Sequence, residues 1–135
     1  MTTAASRDRL LFGAALVVGA AGWAWAGGRE AWDSPLYWSL VLPLTYAFVF
    51  LFGTLGSRSA WRWPALVFGA QLGTMVLRGG VGSMAPLGAM LFTILATFGL
   101  VPAYLGVALR RWRQRRAAAK FASEARKTAF QTPER

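Results

Sequence analysis

Four long runs without a charged residue constrain the fold of this chain more than any other feature. A helix of about 20 apolar residues, rising 1.5 Å per residue, crosses the roughly 30 Å hydrocarbon core of a bilayer. Charged or glycine-rich sequence separates each run from the next, as expected for turns at a membrane surface. We therefore predict an all-α integral membrane protein with four transmembrane helices, at about 10–26, 36–55, 63–77 and 85–109.

The composition fits a membrane protein better than a soluble domain. Hydrophobic residues make up 56% of the chain and charged residues 15%, whereas soluble domains average about 45–50% and about 25%. Arginine outnumbers lysine by 13 to 2, which favours a GC-rich bacterial genome. We therefore expect a multi-pass protein of the bacterial cytoplasmic (inner) membrane.

Basic residues are distributed unevenly between the two ends of the predicted spans. Of the 15 Lys and Arg, all except Arg29 and Arg78 precede the first run, link the second run to the third, or follow the fourth. Cytoplasmic segments of membrane proteins collect Lys and Arg, so we predict that both termini are cytoplasmic. Tryptophans also gather at the predicted span ends, as in interfacial aromatic belts: Trp23, Trp25, Trp32 and Trp38 on the outer side, and Trp61, Trp63 and Trp112 on the cytoplasmic side.

The first predicted span admits a second interpretation. Its basic start, its apolar stretch and the small residues Ala24 and Ala26 also fit a secretory signal that is cleaved. Trp23 and Trp25 are unusually bulky neighbours for a cleavage site. We therefore expect residues 1–26 to be retained.

The chain divides into a transmembrane domain over 1–109 and a basic cytoplasmic tail over 110–135. Each basic charge beside an anionic leaflet contributes about 1 kcal/mol to binding, and the helix formers of 117–129 predict that the tail is helical. Runs of arginine also occur in proteins that bind nucleic acid. We do not expect this chain to bind nucleic acid, because no nucleic-acid-binding motif is recognisable in it. Five arginines open the tail and are predicted to contact anionic lipids: Arg110, Arg111, Arg113, Arg115 and Arg116.

Small residues spaced three or four apart predict faces where helices pack closely. In a membrane, helices associate through close backbone approach and polar contacts. Packing within one four-helix bundle is the simpler interpretation, and a face for another subunit or a second copy is the alternative. The predicted seams are Ala15, Gly19 and Gly22 in the first span, Gly69 and Gly73 in the third, and Ala85 with Ala89 and Gly99 with Ala103 in the fourth.

A polar stripe follows one face of the third predicted helix, where Gln71, Thr74 and Arg78 are spaced three and four apart. Arg78 lies at the end of its span, so its long side chain can reach the headgroups at little cost. The alternative is that Arg78 attracts an anionic group, with Gly79, Gly80 and Gly82 letting backbone N–H groups approach it. Pro43 and Pro102 each remove one helical hydrogen bond, and we expect each to allow a kink.

The inventory of side chains argues against catalysis. The chain has no His, which is the commonest general base and metal ligand. It also has no Cys, which supplies thiol nucleophiles. All five Asp and Glu fall outside the predicted spans, which also argues against a membrane proton relay. We expect no cofactor and no metal.

The remaining chemistry favours a protein that binds other proteins. We predict a non-catalytic accessory subunit or assembly factor of a larger membrane complex. The alternative is a homo-oligomeric small transporter or channel lined by the polar stripe, and a phage-type membrane-permeabilising protein is a third possibility.

Overall fold

The computed structural model describes residues 4–25, 34–57, 59–79 and 85–131. These residues form four helices and no strand, which confirms the all-α prediction. A π-helical turn over Tyr37–Val41 leads directly into the second helix. The helices are α1 (Ala4–Trp25), α2 (Leu42–Leu55), α3 (Arg62–Gly79) and α4 (Ala85–Gln131).

Among the described residues, two segments are long and apolar enough to cross a membrane. They are Tyr37–Leu55, which joins the π-helical turn to α2, and Ala85–Lys127 within α4. Only 28% and 33% of their most apolar windows are buried inside the bundle. The core helix of a soluble protein would bury most of such a window, whereas a membrane helix turns its apolar surface to lipid.

Successive helices run in opposite directions. Each helix packs most extensively against one that runs in the same direction: α1 against α3, and α2 against α4. Gly19 and Gly22 of α1 pack against Val67 and Gln71 of α3, so α1 and α3 are parallel. On the other side, α2 packs along α4 in the same sense. Asp8 near the start of α1 bonds Ser57 just after α2, so α1 and α2 run in opposite directions.

Apolar side chains fill the interior of the bundle in two clusters, one towards each end. The cluster nearer the π-helical turn contains Tyr37, Val41, Phe68, Met75, Phe92 and Leu95. The cluster nearer the start of α1 contains Ala15, Val49, Phe52, Ala60, Trp63, Val67, Ala103 and Val107.

The two span prolines have different effects on their helices. Pro43 has no N–H to donate to the preceding turn, and the π-helical turn lies just before it, with the Leu42 N–H bonding the Tyr37 carbonyl five residues back. A π-helical turn is a known way to absorb such an interruption within a helix. At Pro102, by contrast, α4 continues without a break.

The last helix extends well beyond the bundle. α4 has 47 residues, which corresponds to about 70 Å at 1.5 Å per residue. Positions 111–127 are all exposed. The predicted helical tail is confirmed as helix, and it is the direct continuation of the fourth predicted span.

Candidate functional site

The most deeply buried polar group of the bundle is the side chain of Gln71 in α3, which has no exposed surface. The hydroxyl of Tyr37 donates a hydrogen bond of 2.9 Å to its Oε1. Its Nε2 is buried without a hydrogen-bond partner among the described residues. Gly22 of α1 packs against this amide, and a Cβ at Gly22 would be in van der Waals contact with Nε2 at 3.4 Å.

The other two members of the polar stripe lie on the same face of α3 but are less enclosed. Thr74 is half-buried, and its hydroxyl donates to the Ala70 carbonyl one turn earlier at 2.8 Å. Arg78 is exposed in the last turn of α3, where a positive charge interacts favourably with the helix dipole. Gly80 and Gly82, which were predicted beside Arg78, lie outside the described residues.

Other hydroxyl groups of the bundle donate hydrogen bonds to backbone carbonyls of the helices. Thr45 donates to the Val41 carbonyl at 2.7 Å, and Ser39 donates to the Pro35 carbonyl at 2.9 Å. Tyr46 donates across to the Leu95 carbonyl of α4 at 3.1 Å. Such bonds satisfy hydroxyls that would otherwise be costly to place in lipid.

Most of the predicted small-residue seams lie inside the bundle. A Cβ at Gly19 would stand 2.3 Å from the Val67 carbonyl oxygen, and one at Gly99 would stand 2.8 Å from the Pro64 Cβ. Ala15 and Ala103 have no exposed surface. At these positions the small residues allow helices of the same chain to approach closely.

The seam on α3 differs, because it faces outwards. Gly69 and Gly73 are exposed, and nothing lies within 4 Å of a Cβ built at either. With Ala65, also exposed, they form an outward face of small residues that we call the α3 small face. Large apolar side chains cover the corresponding outward surfaces of the other helices, as at Leu10 and Val17 of α1, Leu44 and Leu51 of α2, and Ile94, Phe98 and Val101 of α4.

Three basic segments meet at one end of the bundle, which we call the basic end. They are the first turns of α1, the start of α3 and the part of α4 that begins at Arg110. Asp8 joins the first of these segments to the connection between α2 and α3, because its carboxylate accepts the Ser57 N–H at 3.1 Å and also the Ser57 hydroxyl. Asp8 is 5% exposed. The sequence analysis treated Asp8 only as an acid outside the spans, and no local pattern links it to a serine 49 residues away.

A groove of about 760 Å³ opens at the basic end between the α2–α3 connection and α4. Ser57 and Ser59 line one wall, and Arg110, Arg111, Trp112 and Arg115 line the other; we call this the basic groove. Of the five predicted lipid-contacting arginines, Arg113 and Arg116 do not line it. The Arg116 guanidinium carbon instead lies 3.8 Å from the centre of the Trp112 ring, which is a cation–π contact.

The tryptophans differ in whether they can reach a membrane interface. Trp25, Trp38, Trp61 and Trp112 are exposed, as their predicted place in an aromatic belt requires. For Trp63 the prediction is wrong, because its side chain is 1% exposed and packs on Phe52 inside the bundle. Gly56 allows this position, since a Cβ at Gly56 would lie 2.3 Å from the Trp63 ring. Trp32 and the side chain of Trp23 lie outside what the structure describes.

Within the described ranges, no group of three His, Cys, Asp or Glu could hold a metal ion. Comparisons with protein-family models, with curated proteins and with solved structures found no match to this chain.

Proposed function

We propose that this chain is a non-catalytic accessory subunit or assembly factor of a larger complex in a bacterial inner membrane. In this proposal all four helices span the bilayer, the basic end and both termini are cytoplasmic, and the exposed apolar side chains face lipid. The arrangement of charge supports this orientation, since Arg7, Arg9, Arg62 and the arginines after Leu109 lie at one end of the bundle.

The α3 small face is the observation that carries the subunit role. Small residues four apart let the backbone of a second helix approach closely. Gly69 and Gly73 have this spacing, and nothing in the described chain lies within 4 Å of a Cβ built at either. Gly13 of α1 is also exposed, but the residues four positions away from it are the large Arg9 and Val17. A transmembrane helix of a partner protein fits such a face.

The alternative of a homo-oligomeric transporter or channel has less support. A pore between copies would need the polar stripe on the outer surface of the bundle. Gln71 instead has no exposed surface and bonds Tyr37 of the same chain. Its burial favours a role in packing the bundle.

Mild detergent extraction followed by mass spectrometry tests the subunit role. We expect a second polypeptide in fixed stoichiometry with the wild-type chain, and we expect Gly69→Ile to release it because the larger side chain blocks close approach. Gly13→Ile is the matched control, since Gly13 is also exposed with nothing within 4 Å of its Cβ position, but on α1. Retention of the partner by Gly69→Ile, or a lone homo-oligomer that conducts ions in liposomes, would contradict the proposal.

A further inference from the structure

In the described part of the chain, the basic groove is lined by positively charged side chains without negatively charged ones beside them. Arg111 and Arg115 are four residues apart on one face of α4, and like charges at this spacing destabilise a helix. None of the described residues that line the groove is acidic. The carboxylate of Asp8 lies behind one wall, where it accepts both donors of Ser57.

The groove also has the shape of a binding site. Its volume of about 760 Å³ lies within the roughly 300–1,000 Å³ typical of small-molecule sites. The guanidinium of arginine presents N–H donors in a planar fork that matches two oxygens of a phosphate. Ser59 adds a hydroxyl donor on the opposite wall, and Trp112 adds an indole N–H.

We propose that the basic groove binds a phosphate group, with Arg111 and Arg115 as its principal ligands. The Ser59 hydroxyl donates from the α2–α3 connection, and Arg110 adds charge where the apolar part of α4 ends. Arg116 holds the Trp112 ring through its cation–π contact rather than contacting the phosphate itself.

Two sources of phosphate fit this chemistry. The arginines of the groove follow directly after Leu109, the last residue of the uncharged run in α4, which is the depth of lipid headgroups if the chain spans the bilayer as proposed above. An anionic phospholipid is then the nearest phosphate. A soluble phosphate compound is the other source, and its binding does not depend on the membrane placement.

Titration of the purified full chain in neutral detergent tests the site. The probes are dioctanoyl phosphatidylglycerol, dioctanoyl phosphatidylcholine and inorganic phosphate, with binding followed by calorimetry. We expect the phosphatidylglycerol Kd of Arg111→Gln/Arg115→Gln to rise at least about tenfold, since hydrogen bonds to charged groups are lost. The matched control is Arg113→Gln/Lys120→Gln, which removes the same charge outside the groove and should raise the Kd only about twofold. All four positions are exposed, so equal helical content by circular dichroism verifies that each variant is folded.

The outcomes separate the site from general electrostatics and from the membrane placement. Equal weakening by both double variants, or no weakening by the groove variant, would overturn the proposal, even if the chain still fractionates as an integral membrane protein. Binding of phosphatidylglycerol with little competition from inorganic phosphate supports the site and assigns it to lipid. Strong competition by inorganic phosphate supports the site and assigns it to a soluble ligand.

Discussion

At the scale of single residues, the bond between Tyr37 and Gln71 is the clearest polar contact in the interior. It joins the π-helical turn to α3 where both side chains are almost fully buried. A buried donor or acceptor left unpaired costs about 1–3 kcal/mol, whereas replacing both partners by apolar groups can be nearly neutral. The bond therefore predicts non-additive effects of substitution.

A double-mutant cycle at Tyr37 and Gln71 measures this coupling. We expect Tyr37→Phe and Gln71→Leu each to lower the free energy of unfolding by about 1–2 kcal/mol, because each leaves one partner unpaired. The double variant should lose less than the sum of the two, since it leaves neither the Tyr37 hydroxyl nor the Gln71 Oε1 unpaired. Unfolding by SDS in mixed micelles provides the measurement, with Tyr104→Phe as the exposed control. Strictly additive losses would show that the two side chains are not coupled.

Residue types in the sequence pointed to this pair only in part. The 3.6-residue period placed Gln71 on one face of a helix, and its polarity within an apolar run marked it as unusual. The period could not tell whether that face was inside or outside the bundle. The partner of Gln71 lies 34 residues away, and such a contact depends on how the helices assemble rather than on local pattern.

At the scale of helices, the uncharged runs located every element but only some of the ends. The predicted end at 55 and the predicted start at 85 agree with α2 and α4. The first run was predicted from residue 10, whereas α1 begins at Ala4 because Arg7, Asp8 and Arg9 are compatible with helix. A charged residue ends an uncharged run, but it does not end a helix. The same reason explains why α4 continues to Gln131, well beyond the predicted span.

The small-residue seams show a second limit at this scale. Spacing identified Gly19 and Gly69 equally well as contact positions, but only Gly19 packs against another helix of this chain. A seam predicts that some helix comes close, and it does not say which one. The distinction between internal packing and an outward face therefore required the assembled bundle.

Glycine substitutions test this difference between inward and outward seams. A Cβ at Gly53 would stand 2.4 Å from the Ala103 carbonyl oxygen, so Gly53→Ala must push α2 and α4 apart. We expect it to lower the free energy of unfolding by about 1–3 kcal/mol, as overpacked cores do. Gly69→Ala should be neutral or slightly stabilising, because its Cβ meets nothing and alanine favours helix. SDS-driven unfolding compares the two, and equal losses would contradict the assigned packing of α2 on α4.

At the scale of the whole molecule, charged and apolar side chains are each concentrated in particular places. The basic groove, Asp8 and the start of α3 share one end of the bundle, while Arg78 lies in the last turn of α3 at the other. The interior is mainly apolar and includes the polar side chains of Gln71 and Thr45, whereas leucine, valine and phenylalanine side chains cover much of the outside. In the four-span proposal, these exposed apolar side chains face lipid.

In the proposed arrangement, α1 and α3 cross the bilayer together with the two segments that are long and apolar enough by themselves. The alternative is that only Tyr37–Leu55 and α4 cross. The two arrangements differ in the sides of the membrane on which the connections lie. With four spans, the connection after α2 and the connection after α3 lie on opposite sides; with two spans, they lie on the same side.

Labelling of single cysteines in intact cells distinguishes the two arrangements directly, because the natural chain has no cysteine. Ser59→Cys, between α2 and α3, and Ser83→Cys, between α3 and α4 in the sequence, form the decisive pair. Thr3→Cys and Ser34→Cys, on either side of α1 in the sequence, form the second pair and test α1. With four spans and a cytoplasmic basic end, a membrane-impermeant maleimide labels positions 34 and 83 in intact cells and labels 3 and 59 only after the membrane is opened. Labelling of 59 and 83 from the same side would contradict the four-span arrangement.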